Sequence, residues 1–208
     1  MRVVITGARR GIGAGLSEGY RARGAEVIGA SRSEVDLADG ASISAWADTV
    51  PGPVDLLVCN AGLFEDRAEA LDHGYPPEMW AAQLAVNVTG VFLCVQKLLP
   101  QLRAAEAAKI AIISSQMGAS VRASGTAIIY RVSKAAALNL GMNLASALRP
   151  EGIPVGIYHP GWVRTDMGGA SAEISVEEAR DGLMARFDDL SLTTSGCFQT
   201  WDGRDHPL

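Results

Sequence analysis

Lysine is almost missing from this chain: it occurs three times, against fifteen arginines in 208 residues. Cysteine is equally sparse. Cys59, Cys94 and Cys197 are odd in number, far apart and set in apolar surroundings. They give neither a disulfide framework nor metal-ligand spacing, so no metal site is expected, and they read as buried free thiols of a reducing compartment. Positive charge is in deficit, with a formal net charge of −5. The densest basic spots are Arg9-Arg10 and Arg21 with Arg23, which disfavours nucleic acids and anionic membrane surfaces as partners. Long apolar runs are lacking too. The longest, Leu84 to Val95, is broken by Asn87 and Thr89 and is too short to span a bilayer. Met1 leads into Val3-Val4-Ile5 without the basic flank and cleavage site of a signal peptide, so the expected address is the cytoplasm. Repeats, low-complexity tracts and linker-like stretches are absent, which points to one domain over residues 1–208.

What is present is an alternation. Short apolar, β-rich runs lie at Arg2–Ile5, Glu26–Ala30, Val54–Cys59, Lys109–Ser114, Ile153–Tyr158 and Cys197–Thr200. Segments of helical period fill the spaces at Gly11–Arg23, Ala41–Thr49, Pro77–Ala107, Ala127–Arg149 and Val176–Phe187. Continuous apolar strands separated by helices predict an α/β fold, a mostly parallel sheet buried on both faces. Pro76-Pro77 predicts a break, and Pro100 a kink or a helix end.

The first strand runs into Thr6-Gly7-Ala8-Arg9-Arg10-Gly11-Ile12-Gly13 and then into a helix. Glycines at such a turn let the backbone approach a diphosphate, and the helix N-terminus offers it free N–H groups and a favourable dipole. The spacing, Gly-x-x-x-Gly-x-Gly, departs from the usual dinucleotide fingerprint, and its bland alternative is a tight turn. The second strand ends Gly29-Ala30-Ser31-Arg32 without the acid that would accept from a ribose 2′-hydroxyl. Arg32 and Arg10 can instead pair with a 2′-phosphate, which favours NADP over NAD.

Tyr130 and Lys134 stand one helical turn apart on one face. A lysine beside a tyrosine stabilises the phenolate and lowers the phenol toward the range of a general acid or base. In so lysine-poor a chain, lysine here suggests a task that arginine does not perform. The strand before this helix ends at Ser114-Ser115, at the sheet edge where open α/β sheets bind ligands, and a serine there can bond a substrate carbonyl. Asn60-Ala61-Gly62 follows another strand at the same edge, and a turn needing a flexible glycine would explain it equally well. Asn87, a lone amide in an apolar helical segment, needs a partner if buried. Pro160-Gly161-Trp162-Val163-Arg164-Thr165-Asp166 again follows a strand at that edge.

In this order Thr6–Gly13, Asp36-Leu37, Asn60-Ala61-Gly62, Asn87, Ser114-Ser115, Tyr130-x-x-x-Lys134 and Pro160-Gly161 resemble the short-chain dehydrogenase/reductase family over essentially the whole chain. The run from Pro160 to Met167 and the ending Trp201-Asp202-Gly203 are similar to its short C-factor-like branch. The resemblance implies a single-domain Rossmann-type, doubly wound sheet of about seven strands in the order 3-2-1-4-5-6-7. It also implies hydride transfer between NAD(P)(H) and a carbonyl or alcohol; Arg32 and Arg10 make NADP(H) the preferred form, with NAD(H) possible. Tyr130 would exchange the proton with the substrate oxygen. Lys134 would lower the tyrosine and hold the nicotinamide ribose. Ser115, preferred over Ser114, would orient the carbonyl, and Asn87 would hold a relay water. Asp36 and Leu37 would meet adenine, Asn60, Ala61 and Gly62 would lie beside the cofactor, and Pro160, Gly161, Val163 and Thr165 would surround the carboxamide. Residues 31–36 leave little room for the usual helix after the second strand, and the Gly/Ala-rich stretch 168–172 implies a reduced lid and an open site. The apolar helices 77–107 and 127–149 imply a homodimer or a tetramer of dimers. A nucleotide-binding signalling protein with little turnover is the alternative reading.

Overall fold

The computed structural model describes all 208 residues. Its centre is a set of strands made almost wholly of apolar side chains: β1 (Arg2–Thr6), β3 (Leu56–Cys59), β4 (Lys109–Ile113) and β5 (Val155–His159). With β2 (Glu26–Ala30) and β6 (Phe198–Thr200) they form one parallel sheet in the order β2-β1-β3-β4-β5-β6. Side chains alternate between the two faces with period two, so each strand feeds two cores. Val3, Ile5, Leu56, Val58, Ala111 and Ile113 pack under α1 (Gly11–Ala22) and α6 (Val176–Asp189). Val4, Leu57, Ile110 and Ile112 pack under α2 (Gly40–Thr49), α4 (Gly90–Arg103) and α5 (Ile128–Leu148).

The sheet has six strands rather than seven. Its order is the expected one without the outermost strand, because residues 31–39 alone separate β2 from α2 and make only turns. The second strand therefore becomes the edge.

Helix α3 (Pro77–Leu84) begins after Pro76, as the proline pair predicts. The end expected near Pro100 comes three residues after it, at Arg103. Pro100 stands in the last turn, where its missing N–H removes only one internal bond. The irregularity lies earlier, in a π-turn over Ala85–Thr89 that joins α3 to α4 and carries Asn87. The stretch Pro77–Arg103 is long and apolar enough to cross a membrane, but here Cys94, Val95, Leu98 and Leu102 are buried in the core of the fold.

Candidate functional site

Every segment singled out by its sequence meets at the carboxyl edge of the sheet. Thr6 ends β1, and its Oγ1 accepts from the backbone N–H of Asn60 and of Ala61 at 3.1 and 3.2 Å. The Asn60 amide donates back to the carbonyls of Thr6 (2.9 Å) and Gly7 (3.3 Å). The turn is therefore bolted to the loop after β3. Gly7 has φ +69°, and a Cβ on Gly13 would stand 2.2 Å from the Gly7 carbonyl oxygen, so side chains are excluded from this cradle. Arg10 is the α1 N-cap and gives no side-chain cap, and the first turn, which includes Gly11, Ile12 and Gly13, holds no acid. Bare first-turn amides beside a side-chain-free turn suit a diphosphate.

The region after β2 differs from the sequence reading in two respects. Glu34 folds back on Ser31, its carboxylate accepting from the Ser31 backbone N–H at 2.8 Å and from the hydroxyls of Ser31 and Ser33 at 2.5 and 2.7 Å. These bonds, first among them the Ser31 hydroxyl, hold the Glu34 carboxyl down at about 2. An acid thus does sit at the end of β2, next to the exposed Arg32. Asp36 is exposed and caps its own turn through the Ala38 N–H, while the Leu37 carbonyl lies against Gly90. Arg10 points elsewhere: its guanidinium pairs at 2.7 Å with Asp166, on the loop after β5.

That loop is internally braced. Gly161 takes φ +89° beside Trp201, Val163 is buried and bridges to Ile174, and the Thr165 hydroxyl accepts from the Gly168 N–H. Pro160 directly follows β5. Thr165 leans on Gly11, and Arg67, from the loop after β3, donates to the Met167 carbonyl. The loop is thus tied to both neighbours.

Opposite lies the ionisable pair. Tyr130 and Lys134 are buried on the first turns of α5. Lys134 donates to the Ile113 carbonyl at 3.0 Å, its Nζ lies 5.7 Å from the Tyr130 ring centroid, and a Cβ on Gly62 would stand 3.3 Å from it. Burial brings the Lys134 ammonium down to about 8. Burial also pushes the Tyr130 phenol up to about 12, against the lowering effects of the nearby Ser115 hydroxyl and of the Arg67 charge. The lowered phenol predicted from the Tyr-Lys spacing is therefore not what the chain shows by itself. The two serines differ in their partners. Ser115 Oγ accepts from the Met117 N–H at 3.1 Å and lies near enough to the Tyr130 phenol to lower it, whereas the Ser114 hydroxyl donates to the Lys134 carbonyl at 2.9 Å.

Asn87 has its expected partners. Its Oδ1 accepts from the Leu63 N–H at 2.7 Å, and its amide donates to the Leu63 carbonyl and the Ser133 hydroxyl, both at 2.9 Å. Both amide hydrogens are spent, so a water held by this side chain would have to donate to it.

Sequence reasoning missed three residues of this region. Phe64 stacks on Tyr130 with ring centroids 4.1 Å apart, and Arg67 lies over Phe64 at 4.7 Å. Asp66, wholly buried, accepts from the backbone at the start of α5. Only their closeness to the Asn60–Gly62 loop could have pointed to them.

Comparison with known proteins agrees with this geometry. The family model described as short chain dehydrogenase matches residues 33–174. The chain is 35% identical over 158 residues to C-signal of Myxococcus xanthus, covering 75% of this chain and 93% of that protein. It is 32% identical to the 1-hydroxy-2-glutathionyl-2-methyl-3-butene dehydrogenase of Rhodococcus sp. strain AD45, covering 97% and 96% of the two chains. The NADPH-bound carbonyl reductase from chicken fatty liver superposes with a TM-score of 0.90 at 27% identity, covering 100% and 98%. With its parallel sheet, its glycine turn and its Tyr-x-x-x-Lys helix, this chain belongs to the short-chain dehydrogenase/reductase family of oxidoreductases.

Proposed function

We propose that the chain is an NADP(H)-preferring carbonyl reductase with Tyr130 as its general acid. The observation that carries this reading is the convergence of Ser115, Tyr130 and Lys134 beside Gly62 and Asn87 at the sheet edge. When bound, the nicotinamide supplies the hydride for the carbonyl carbon. The chain's own part is the proton and the positioning. A phenol near 12 keeps its proton at neutral pH, which suits donation to a carbonyl oxygen as negative charge builds there. Ser115 orients that oxygen by a hydrogen bond, and the Lys134 ammonium, still mostly charged at neutral pH, stabilises the phenolate left behind and reaches toward the ribose. Asn87 holds the Leu63 backbone and the Ser133 hydroxyl beside the pair, and its free lone pair can take a water.

The cradle of Thr6, Gly7, Gly11, Ile12 and Gly13 would hold the diphosphate, with Asn60, Ala61 and Gly62 as its floor. Asp36 and Leu37 would border adenine, and Pro160, Gly161, Val163 and Thr165 would border the carboxamide. Ser31 and Arg32 support the preference for NADP(H), with the Glu34 carboxylate as an internal competitor for the 2′-phosphate; Arg10 would contribute after leaving Asp166. The three free thiols, Cys59, Cys94 and Cys197, suit a cytoplasmic enzyme.

A panel of aldehydes and ketones with NADPH tests the reading. Turnover is expected in the parent, and Tyr130→Phe is expected to lower it about 100-fold or more while NADPH still quenches tryptophan fluorescence. No turnover with any carbonyl, or an active Tyr130→Phe, would overturn it. The likeness to C-signal supports a second reading, a nucleotide-binding signalling protein. NADPH binding without turnover across the panel would select it.

A further inference from the structure

Helix α5 begins without a cap of its own. Its N-cap is Ala127, in a left-handed conformation at φ +50°, with no side-chain acceptor for the first-turn amides. Two of those amides nonetheless find an acceptor. The Ile129 N–H donates to Asp66 Oδ2 at 2.7 Å, and the Tyr130 N–H to both carboxylate oxygens at 3.2 and 3.3 Å. Asp66 comes from the loop after β3 and is 0% exposed. Its other contact is the amide of Gln83, also 0% exposed, which donates to Oδ1 at 3.1 Å. Gln83 is held the right way round because its own Oε1 accepts from the Glu65 N–H at 3.3 Å. Gln83 precedes Asn87 by one helical turn, and Asn87 fixes Leu63 in the same loop.

Resting on the reductase reading above, we propose that Asp66 is a positioning residue for the proton donor, clamping the N-terminus of α5 to the Asn87 helix and so fixing the Tyr130 phenol against Ser115. A helix capped by a neighbouring side chain of its own would be equally stable but free to slide. A cap reaching in from the cofactor loop ties the tyrosine to the loop that borders the cofactor. The clamp needs a carboxylate, because every group facing it is a donor. In Asp66→Asn the new amide must confront either the α5 amides or the Gln83 amide. Turning Gln83 over only moves the conflict to the Glu65 N–H. Exchanging the two side chains restores every bond: with Asp66→Asn and Gln83→Glu together, the amide oxygen faces α5, and the carboxylate takes bonds from that amide and from Glu65.

The test compares the parent, Asp66→Asn, and the exchange Asp66→Asn with Gln83→Glu. Expected for the single variant is a fall in kcat of tenfold or more, with NADPH affinity within twofold of the parent and KM little changed. The exchange is expected to recover kcat to within threefold of the parent. A cap serving stability alone would lower the melting temperature and leave kcat and the Tyr130 titration untouched. The phenolate titration, followed by ultraviolet absorbance against Tyr130→Phe, needs no substrate. It is expected to move down in Asp66→Asn, which loses a negative charge beside the tyrosine, and to return toward the parent in the exchange. If the parent reduces no carbonyl but this titration moves and returns, the reductase reading fails and the clamp stands. If Asp66→Asn does not fold, the exchange must still fold and keep the parent kcat and titration. An unchanged kcat and titration in Asp66→Asn, or an exchange that recovers neither, overturns the proposal.

Discussion

Burial acts on Tyr130 and Lys134 in opposite directions, and both shifts favour their neutral forms. For Lys134 the folded value, about 8, lies below the ordinary lysine value, so the charged side chain is a net cost of folding at neutral pH. Lys134→Met is therefore expected to stabilise the fold by about 1–3 kcal/mol at pH 7 in denaturant unfolding. The gain should shrink as pH rises from about 8 toward 10.5, where the folded parent sheds the proton that its unfolded chain keeps. A gain that stays flat across that window would contradict the assignment. Glu34 supports a second prediction. Its carboxylate occupies the hydroxyls and the backbone N–H that a 2′-phosphate would use, so Glu34→Gln should tighten NADPH binding about three- to tenfold and leave NADH nearly unchanged, by calorimetry. Residues of this kind are the hardest to read from sequence. The Tyr130 and Lys134 spacing is local and announces itself, but Asp66 meets partners 63 and 64 positions away, and Arg10 meets Asp166 156 positions away. Nothing in one-dimensional spacing encodes such pairs. Whether Ser114 or Ser115 faces the tyrosine needs the twist at the end of β4, which only the fold supplies.

At the scale of elements, the sequence carried most of the fold. Six apolar runs became six strands, because an unbroken β-branched run buried on both faces has few other outcomes. The seventh strand belonged to the family pattern and has no counterpart in residues 31–39. The π-turn was illegible, since nothing in Ala-Val-Asn-Val-Thr distinguishes it from ordinary helix, whereas Pro100 marked the last turn of α4. The short turn Gln116–Gly118 is pressed onto α5: a Cβ on Gly118 would lie 2.6 Å from the Lys134 carbonyl carbon. Gly118→Ala should push this turn, and Ser115 with it, off α5. We expect a stability loss of about 1–3 kcal/mol and a kcat loss larger than any change in NADPH affinity. Equal losses in both would show that the turn supports the cofactor rather than the proton donor.

For the molecule as a whole, α4 and α5 leave an apolar groove between them, lined by Phe92, Val95, Leu99, Leu144 and Leu148, and Phe92 remains 38% exposed. The dimer, or tetramer of dimers, expected through these helices would cover this groove. Phe92→Glu should then lower the mass seen by light scattering at micromolar concentration, and a parent that is already monomeric would refute the assembly. The loop after β5 bears on timing. Arg10 holds it on one side and Arg67 on the other. The Arg10–Asp166 pair is largely exposed, 78% and 77%, and such pairs are weak and screened by salt. Asp166→Asn should therefore speed NADP⁺ release no more than about fivefold in stopped-flow fluorescence, and added salt should do the same to the parent. If the chain turns over as proposed, a latch this weak would hold cofactor exchange back little, and its small contribution would vary with ionic strength.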